Sequence, residues 1–323
     1  MRPFLFSIAP VANRRELTVA VAGSQNRFVQ PEHADKAILI TGAAGQVGRE
    51  LCGQLRACGA NVLATDVAPG VESGITACDL TSQRQVGQLF HPQPIAAIVH
   101  LAGILPSAFL TDPLRGIEVN VTASCRLLRK AVERGVKRFV FASSMSVYGL
   151  AARPQPVREE DPIAPQDPYA ACKCAVESAG QALTAKGDIE FVALRIARVV
   201  GPGARNTSSP WRSQIFETSR GGEAISIPFA PETLLSLVHV QEVARMLAIL
   251  LEAGKLGHAV YNAPAETWEA RRLQAMLERV TGARVALGGN ASAGPACDGN
   301  RFAREFGFQL RGLSEYFEGV PTA

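Results

Sequence analysis

The sequence has no run of about 18 uncharged apolar residues, so no part of it is expected to cross a membrane. Charge is scarce: 19% of residues are charged against 47% hydrophobic, too few for a disordered chain and enough apolar material for a full core. The positive excess is only +4, which argues against a dedicated nucleic-acid face. The densest basic cluster, Arg126, Arg129, Lys130, Arg134, Lys137 and Arg138, has helical spacing and no interleaved aromatics, so it is expected to be a solvated helix face. CxxC and HxxxH sets are absent, and the seven cysteines are odd in number and scattered. They are expected to be reduced, in a cytoplasmic protein without a metal, with Cys172-x-Cys174 packing a helix.

The 323 residues are about two domain-equivalents, or one large α/β unit with an appended lobe. Residues 1–35 show no sustained period. Their prolines, paired arginines and Gln/Asn-rich stretch are expected to form a flexible N-terminal extension, with a transit-like segment as the alternative. From Lys36, apolar runs of strand length alternate with segments of helical period, which predicts βαβ units and a parallel sheet. Strands are expected at 37–41, 61–66, 96–101, 138–143 and 190–195, with a shorter one ending at Asp79. Helices are expected at about 46–57, 83–90, 120–135, 168–186, 241–253 and 268–280. Continuous apolar strands such as Ala97-Ile98-Val99 imply burial on both faces. The fold class is therefore α/β, a Rossmann-type doubly wound parallel sheet with a smaller C-terminal lobe. Residues 36–200 would bind a dinucleotide and residues 201–323 would mainly bind substrate, with some elements returning to the sheet.

Thr41-Gly42-Ala43-Ala44-Gly45-Gln46-Val47-Gly48 lies between the first strand and its helix, where glycines let the backbone approach a pyrophosphate at a helix N-terminus. Three glycines at these offsets would arise by chance about 0.2 times in such a chain, so context must decide. Asp66 supplies that context. It ends the next strand near the spacing at which a carboxylate accepts hydrogen bonds from the adenosine ribose, and no Arg or Lys follows in Val67-Ala68-Pro69 to meet a 2′-phosphate. The cofactor is expected to be NAD rather than NADP.

Tyr169 and Lys173 stand four apart on one face of the helix that Pro168 opens. With four Tyr and six Lys in the chain, such a pair has a chance expectation of about 0.07, sharper than the glycines. An ammonium beside a phenol favours phenolate and is expected to bring the tyrosine toward working pH. Ser144, at the end of Phe141-Ala142-Ser143-Ser144, would sit at the carboxyl end of a parallel strand, where its hydroxyl could donate to a substrate oxygen.

Taken in order, these residues resemble the extended short-chain dehydrogenase/reductase family, also called the NAD-dependent epimerase/dehydratase family, over roughly residues 36–318. Thr41 to Gly48 resembles its TGxxGxxG, and Asp79-Leu80 resembles its adenine contact. His100-Leu101-Ala102-Gly103 is similar to the segment lining the cofactor. Asn120 resembles the asparagine beneath the active site, Ser144 its hydroxyl donor, and Tyr169 with Lys173 its YxxxK pair. The resemblance implies cofactor contacts at Gly42, Gly45, Gln46, Val47, Gly48, Asp66, Asp79, Leu80, Leu101, Ala102, Gly103, Asn120, Tyr169 and Lys173. It also implies catalysis by Ser144, Tyr169 and Lys173, with Lys173 holding the nicotinamide ribose, and a homodimer paired through the helices at 121–135 and 168–186.

Two departures narrow the subgroup. Met145 and Ser146 stand where dehydratase members carry an acid and a carboxylate, so elimination of water is not expected. Arg198 replaces the asparagine with which nucleotide-sugar epimerases contact a diphosphate. It would either clamp a carboxylate or phosphate or pair internally. The loop carrying Asn206 is similar to loops of sugar-acid oxidising members such as erythronate dehydrogenase. Arg198 and Asn206, with Ser144, are the candidate substrate contacts. The expectation is an NAD-dependent oxidoreductase acting on a secondary alcohol of a small sugar-acid or polyol-like substrate. The alternatives are a nucleotide-sugar epimerase using the same site and a non-catalytic NAD-sensing protein.

Overall fold

The computed structural model describes residues 36–317 apart from 71–73, 92, 188, 205–208, 218–223 and 290–291. The N-terminal stretch 1–35 and the candidate contact Asn206 therefore lie outside the described residues.

Strand β1 (Ala37–Thr41) leads through the glycine turn into α1 (Gln46–Ala57), followed by β2 (Val62–Asp66), β3 (Ile75–Ala77), α2 (Gln83–Leu89) and β4 (Ile95–His100). Two short helices, α3 (Pro106–Phe109) and α4 (Pro113–Ile117), precede a π-helical turn over Glu118–Ala123 and the helix α5 (Ser124–Glu133). Then come β5 (Arg138–Ser144), α6 (Pro168–Thr184) and β6 (Glu190–Ile196). The rest of the chain runs β7 (Arg198–Val200), α7 (Trp211–Glu217), β8 (Ile225–Ile227), β9 (Leu234–His239), α8 (Val240–Glu252), β10 (Val260–Asn262), β11 (Glu266–Glu269), α9 (Ala270–Thr281), β12 (Val285–Leu287) and α10 (Asn300–Phe306).

Seven strands form one sheet in the order β10-β6-β5-β4-β1-β2-β3, and every pairing in it is parallel. Alternation along β1 shows why the strand is apolar throughout. Ile38 and Ile40 join a core shared with Leu51 of α1 and Leu247 of α8, while Leu39 joins the opposite core with Leu127 of α5 and Val176 of α6. Helix α8 and strand β10 thus return to the large sheet from late in the sequence. The other late elements build a third core around β8, β9, α7 and α9, with Trp211, Leu237 and Leu273 inside it. That region carries a three-stranded sheet, β11-β9-β7, and the parallel pair β12-β8.

Boundaries shift by a residue or two from the sequence reading, as hydrogen-bonding criteria and pattern criteria differ at ends. One difference is physical. The expected single helix from Asn120 to Gly135 begins instead as a π turn, which carries the buried Asn120. Its amide nitrogen donates to the Ile104 carbonyl (2.8 Å) and its amide oxygen accepts from the Ile104 N–H (2.7 Å). The extra residue in the turn lets Asn120 complete the backbone bonding of the segment after β4, as such bulges often do beside functional sites. No described helix is long and apolar enough to cross a membrane.

Candidate active site

Because the strands are parallel and adjacent, their carboxyl ends bring Asp66, Asp79, Leu101 to Gly103 and Ser144 to one edge of the sheet, beside the glycine turn. In that turn Gly42 has φ +70° and lies so close to β4's exit that a Cβ would stand 2.6 Å from the Ala102 nitrogen. A Cβ on Gly48 would stand 2.3 Å from the Gly42 carbonyl oxygen. The backbone is therefore packed too tightly for side chains, and exposed Gly45 caps α1. Asp66 accepts from the N–H of Ala44 (3.0 Å) and of Ala68 (3.0 Å), which holds its carboxylate against the turn. Gln46 reaches away from the turn, donating to the carbonyls of Gly201 (2.6 Å) and Pro202 (3.1 Å). It ties the turn to the segment that follows β7.

Asp79 is engaged locally. It accepts from the Thr81 N–H (2.9 Å), the Thr81 hydroxyl (2.8 Å) and Arg115 (3.0 Å), which together hold its carboxyl below the usual range. Buried Leu80 follows it. Val47 opens α1 beside the turn.

Strand alternation separates the two serines at the end of β5. Ser143 is buried and donates to Glu177, which also receives Arg195 (2.7 Å). Ser144 lies on the other face, near enough to Tyr169 to bear on its phenol and accepting from the Ser146 hydroxyl (3.0 Å) and the Ser146 N–H (3.2 Å). The geometry therefore selects Ser144 over Ser143 as the free hydroxyl. Asp167 caps α6 by accepting from the Ala170 N–H (2.8 Å), with Pro168 at its first position, and this fixes where Tyr169 and Lys173 emerge. The Lys173 ammonium donates to the Ala142 carbonyl (2.6 Å) and lies over the rings of Phe141 (4.6 Å) and Tyr169 (5.5 Å).

The electrostatics differ from the sequence expectation. Burial pushes the Tyr169 phenol up to about 12, with Asp167 adding and the Ser144 hydroxyl and Arg212 opposing. Burial likewise pushes the Lys173 ammonium down to about 8, with Glu177 opposing. Desolvation is the largest cause for both groups, so each is shifted toward its neutral form.

Sequence reasoning missed the roles of three polar groups, two buried and one half-buried. His100 bridges the hydroxyls of Thr41 (2.7 Å) and Ser124 (2.8 Å), and burial pushes it down to about 3. Arg195 joins Glu177 to the Tyr148 hydroxyl (2.6 Å), which donates to Asn262 (2.9 Å). Arg212, at the start of α7, lies near enough to Tyr169 for their charges to interact. His100 is marked in the sequence only as part of a segment resembling a cofactor-lining one, and the hydrogen-bond partners of His100 and Arg195 lie on other elements of the chain. Among the described residues, no group of His, Cys, Asp and Glu is arranged to hold a metal.

A model of the NAD dependent epimerase/dehydratase family matches residues 38–263, and the chain belongs to that family of NAD-dependent enzymes. It is 30% identical over 173 residues to the UDP-glucose 4-epimerase of Lacticaseibacillus casei, covering 51% of this chain and 52% of that one. It is 31% identical over 192 residues to the GDP-6-deoxy-D-mannose reductase of Pseudomonas aeruginosa, covering 57% and 62%. The chain thus spans about half the length of the curated relatives it matches. Among solved structures it is similar to MoeE5 in complex with UDP-glucuronic acid and NAD, with a TM-score of 0.76 and 31% identity over 87% of this chain and 96% of that one. A GalE-like L-threonine dehydrogenase from Cupriavidus necator superposes with a TM-score of 0.80 at 20% identity, a likeness of fold.

The residues present fit NAD. The glycine turn leaves backbone where a pyrophosphate needs close approach, α1 offers its N-terminus, and Asp66 stands at the end of β2 beside them.

Proposed function

We propose that this chain is an NAD-dependent oxidoreductase that acts on a secondary alcohol, or the matching ketone, of a small sugar-acid or polyol-like substrate. The observation that carries this reading is the placement of Ser144 at the carboxyl end of β5, on the face opposite Ser143 and near Tyr169, with Lys173 one helical turn along the same face of α6. Bound NAD supplies the hydride acceptor. The glycine turn would hold its pyrophosphate, Asp66 its adenosine ribose and Lys173 its nicotinamide ribose. Ser144 would hold the substrate oxygen, and Tyr169 as phenolate would take the hydroxyl proton while the hydride leaves the same carbon, whose bond to oxygen becomes a carbonyl. In the reverse direction the protonated phenol returns that proton. The residue after Ser144 is Met145, packed near Cys297 (3.4 Å between sulfurs), and Ser146 is bonded to Ser144, so no second acid/base pair stands there to eliminate water.

In this reading residues 36–200 serve the cofactor and 201–323 mainly the substrate, and two copies pair through the outer faces of α5 and α6. The UDP-glucose 4-epimerase relatives favour a second reading, in which the same hydride returns to the opposite face of a nucleotide sugar. Incubation with NAD and a panel of aldonates, uronates, alditols and UDP-sugars separates them. Net NADH from a non-nucleotide substrate is expected. Sugar isomers without NADH would replace this reading by the epimerase, and tight NAD binding with neither product would leave only a sensor.

A further inference from the structure

Arg212 lies near Tyr169 and Arg198 lies near Arg212, and among the described residues no carboxylate meets either guanidinium. Arg198 opens β7, where its partner in β9 is Leu237, and its guanidinium lies 5.0 Å from the centre of the Phe229 ring. Arg212 is the second residue of α7. That helix is anchored by the fully buried Trp211, set edge-on to the same Phe229 (6.3 Å), and by the Gly201 N–H donating to the Arg212 carbonyl (3.0 Å). Phe229 thus packs against the Arg198 guanidinium and against the Trp211 ring that precedes Arg212.

The Nε of each arginine is closed off from solvent and has no hydrogen-bond partner among the described residues, where neither guanidinium meets a carboxylate. The carboxylate on the same helix, Glu217, is committed to the Gly203 N–H (2.7 Å) and the Ser213 hydroxyl (2.7 Å). Arg198 and Arg212 are half-buried, whereas the two fully buried arginines among the described residues have their charge matched, although the Nε of Arg138 also makes no hydrogen bond there. Arg195 is paired with Glu177, and Arg138 with Glu190 and a row of carbonyls. Burial, together with the nearby Arg212 charge, pushes Arg198 down to about 10, and burial lowers Arg212 as well. Two like charges, crowded and unmatched, are costly to fold around, and an oxyanion between them removes the cost.

We infer that Arg198 and Arg212 form a two-guanidinium seat for one anionic group of the substrate, a carboxylate, beside the carbon whose hydroxyl meets Tyr169. The proposal rests on the hydride-transfer reading for the identity of the reacting carbon, but not for the anion. A carboxylate fits a small substrate. A phosphate monoester and a nucleotide diphosphate share the oxyanion chemistry and are distinguished by the test.

The test titrates the NAD-bound full chain with aldonates of four to six carbons, the alditols of the same lengths, glucose 6-phosphate and UDP-glucose. Binding is followed by calorimetry and turnover by NADH. In the wild type, aldonates are expected to bind at least about 10-fold more tightly than the matched alditols. Arg198→Gln and Arg212→Gln are each expected to weaken aldonates about 10- to 100-fold, mostly in KM, with NAD affinity unchanged. Arg198→Met is expected to raise the urea midpoint, since it removes an unmatched charge and keeps the stem. A fall in that midpoint would mark the arginine as structural and overturn the seat. Equal binding of aldonates and alditols, or Gln variants that keep the preference, would also overturn it. Tightest arginine-dependent binding of glucose 6-phosphate or UDP-glucose would refute the carboxylate. Aldonates that bind through the arginines yet yield no NADH would sink the hydride reading and leave the seat standing. NADH formed equally from alditols and aldonates would do the reverse.

Discussion

Tyr169 carries the chemistry of the proposed reaction, and its surroundings hold it protonated. Its phenol stands near 12 because it is buried, and Lys173 near 8 for the same reason. The phenol is thus ready to act as an acid, whereas alcohol oxidation needs the phenolate, whose charge Lys173, Arg212 and oxidised NAD all favour. Below the phenol's pKa in the NAD-bound enzyme, kcat/KM for oxidation is therefore expected to rise about tenfold per pH unit, while ketone reduction does not rise. Initial rates in both directions across neutral and alkaline pH check this, and a flat oxidation profile would remove Tyr169 as the base. The YxxxK spacing was legible because side chains four apart share a helix face. The sign of the pKa shift was not, because desolvation depends on what packs around the pair, and Phe109, Phe141 and Asp167 come from distant or unmarked positions. Ser144 was chosen over Ser143 by its resemblance to the family's hydroxyl donor, and the physical difference, the bond from Ser143 to Glu177, is visible only in the structure. Arg212 carried no signal at all, since its partner residue Arg198 lies on another element.

At the level of elements, the glycine turn shows how backbone packing sets a requirement that composition hides. A Cβ on Gly48 would strike the Gly42 carbonyl oxygen at 2.3 Å and the Ala43 Cα at 2.7 Å, backbone atoms on both counts. Gly53, on the same helix, is exposed and would meet nothing within 4 Å. Gly48→Ala is therefore expected to destabilise the chain by about 1–3 kcal/mol and weaken NAD binding. Gly53→Ala is expected to stabilise it by up to about 1 kcal/mol and leave NAD binding alone. Urea unfolding and NAD titration of the two variants test the contrast, which would be void if both behaved alike. Most strands and helices of the large sheet were readable because they are long, apolar and periodic, which the three-residue β3 and β10 are not. The π turn at Asn120 was not, since nothing in Val-Asn-Val marks the extra residue. The three-residue strands β7, β8 and β12 were missed as elements because they are too short to show a period, and their pairing comes from the neighbouring chain segments.

For the whole molecule, acid should act through groups that folding holds away from their ordinary charge state. Burial pushes His100 down to about 3 and His239 down to about 4, while burial pushes the Glu252 carboxyl up to about 7. Both histidines take up protons on unfolding below their free value near 6.5, so stability that is full above that value is lost as pH falls. Glu252 has the opposite sign, being protonated in the folded chain between about 4.5 and 7, and cancels one of the two. Unfolding between about pH 6.5 and 5 is then expected to take up about one net proton, a loss of about 1.4 kcal/mol per pH unit. Glu252→Gln should roughly double that slope and His100→Asn nearly abolish it, as urea midpoints at several pH values would show. A slope unchanged by either variant would contradict the assignment.

The account as a whole depends on Tyr169 exchanging the substrate proton while NAD binding is left to other residues. The direct measurement compares Tyr169→Phe with the wild type, titrating NAD on both and following NADH from the substrate that the panel identifies. The account predicts unchanged NAD affinity with turnover reduced by about 10²- to 10⁴-fold. Turnover retained at the wild-type rate would contradict it.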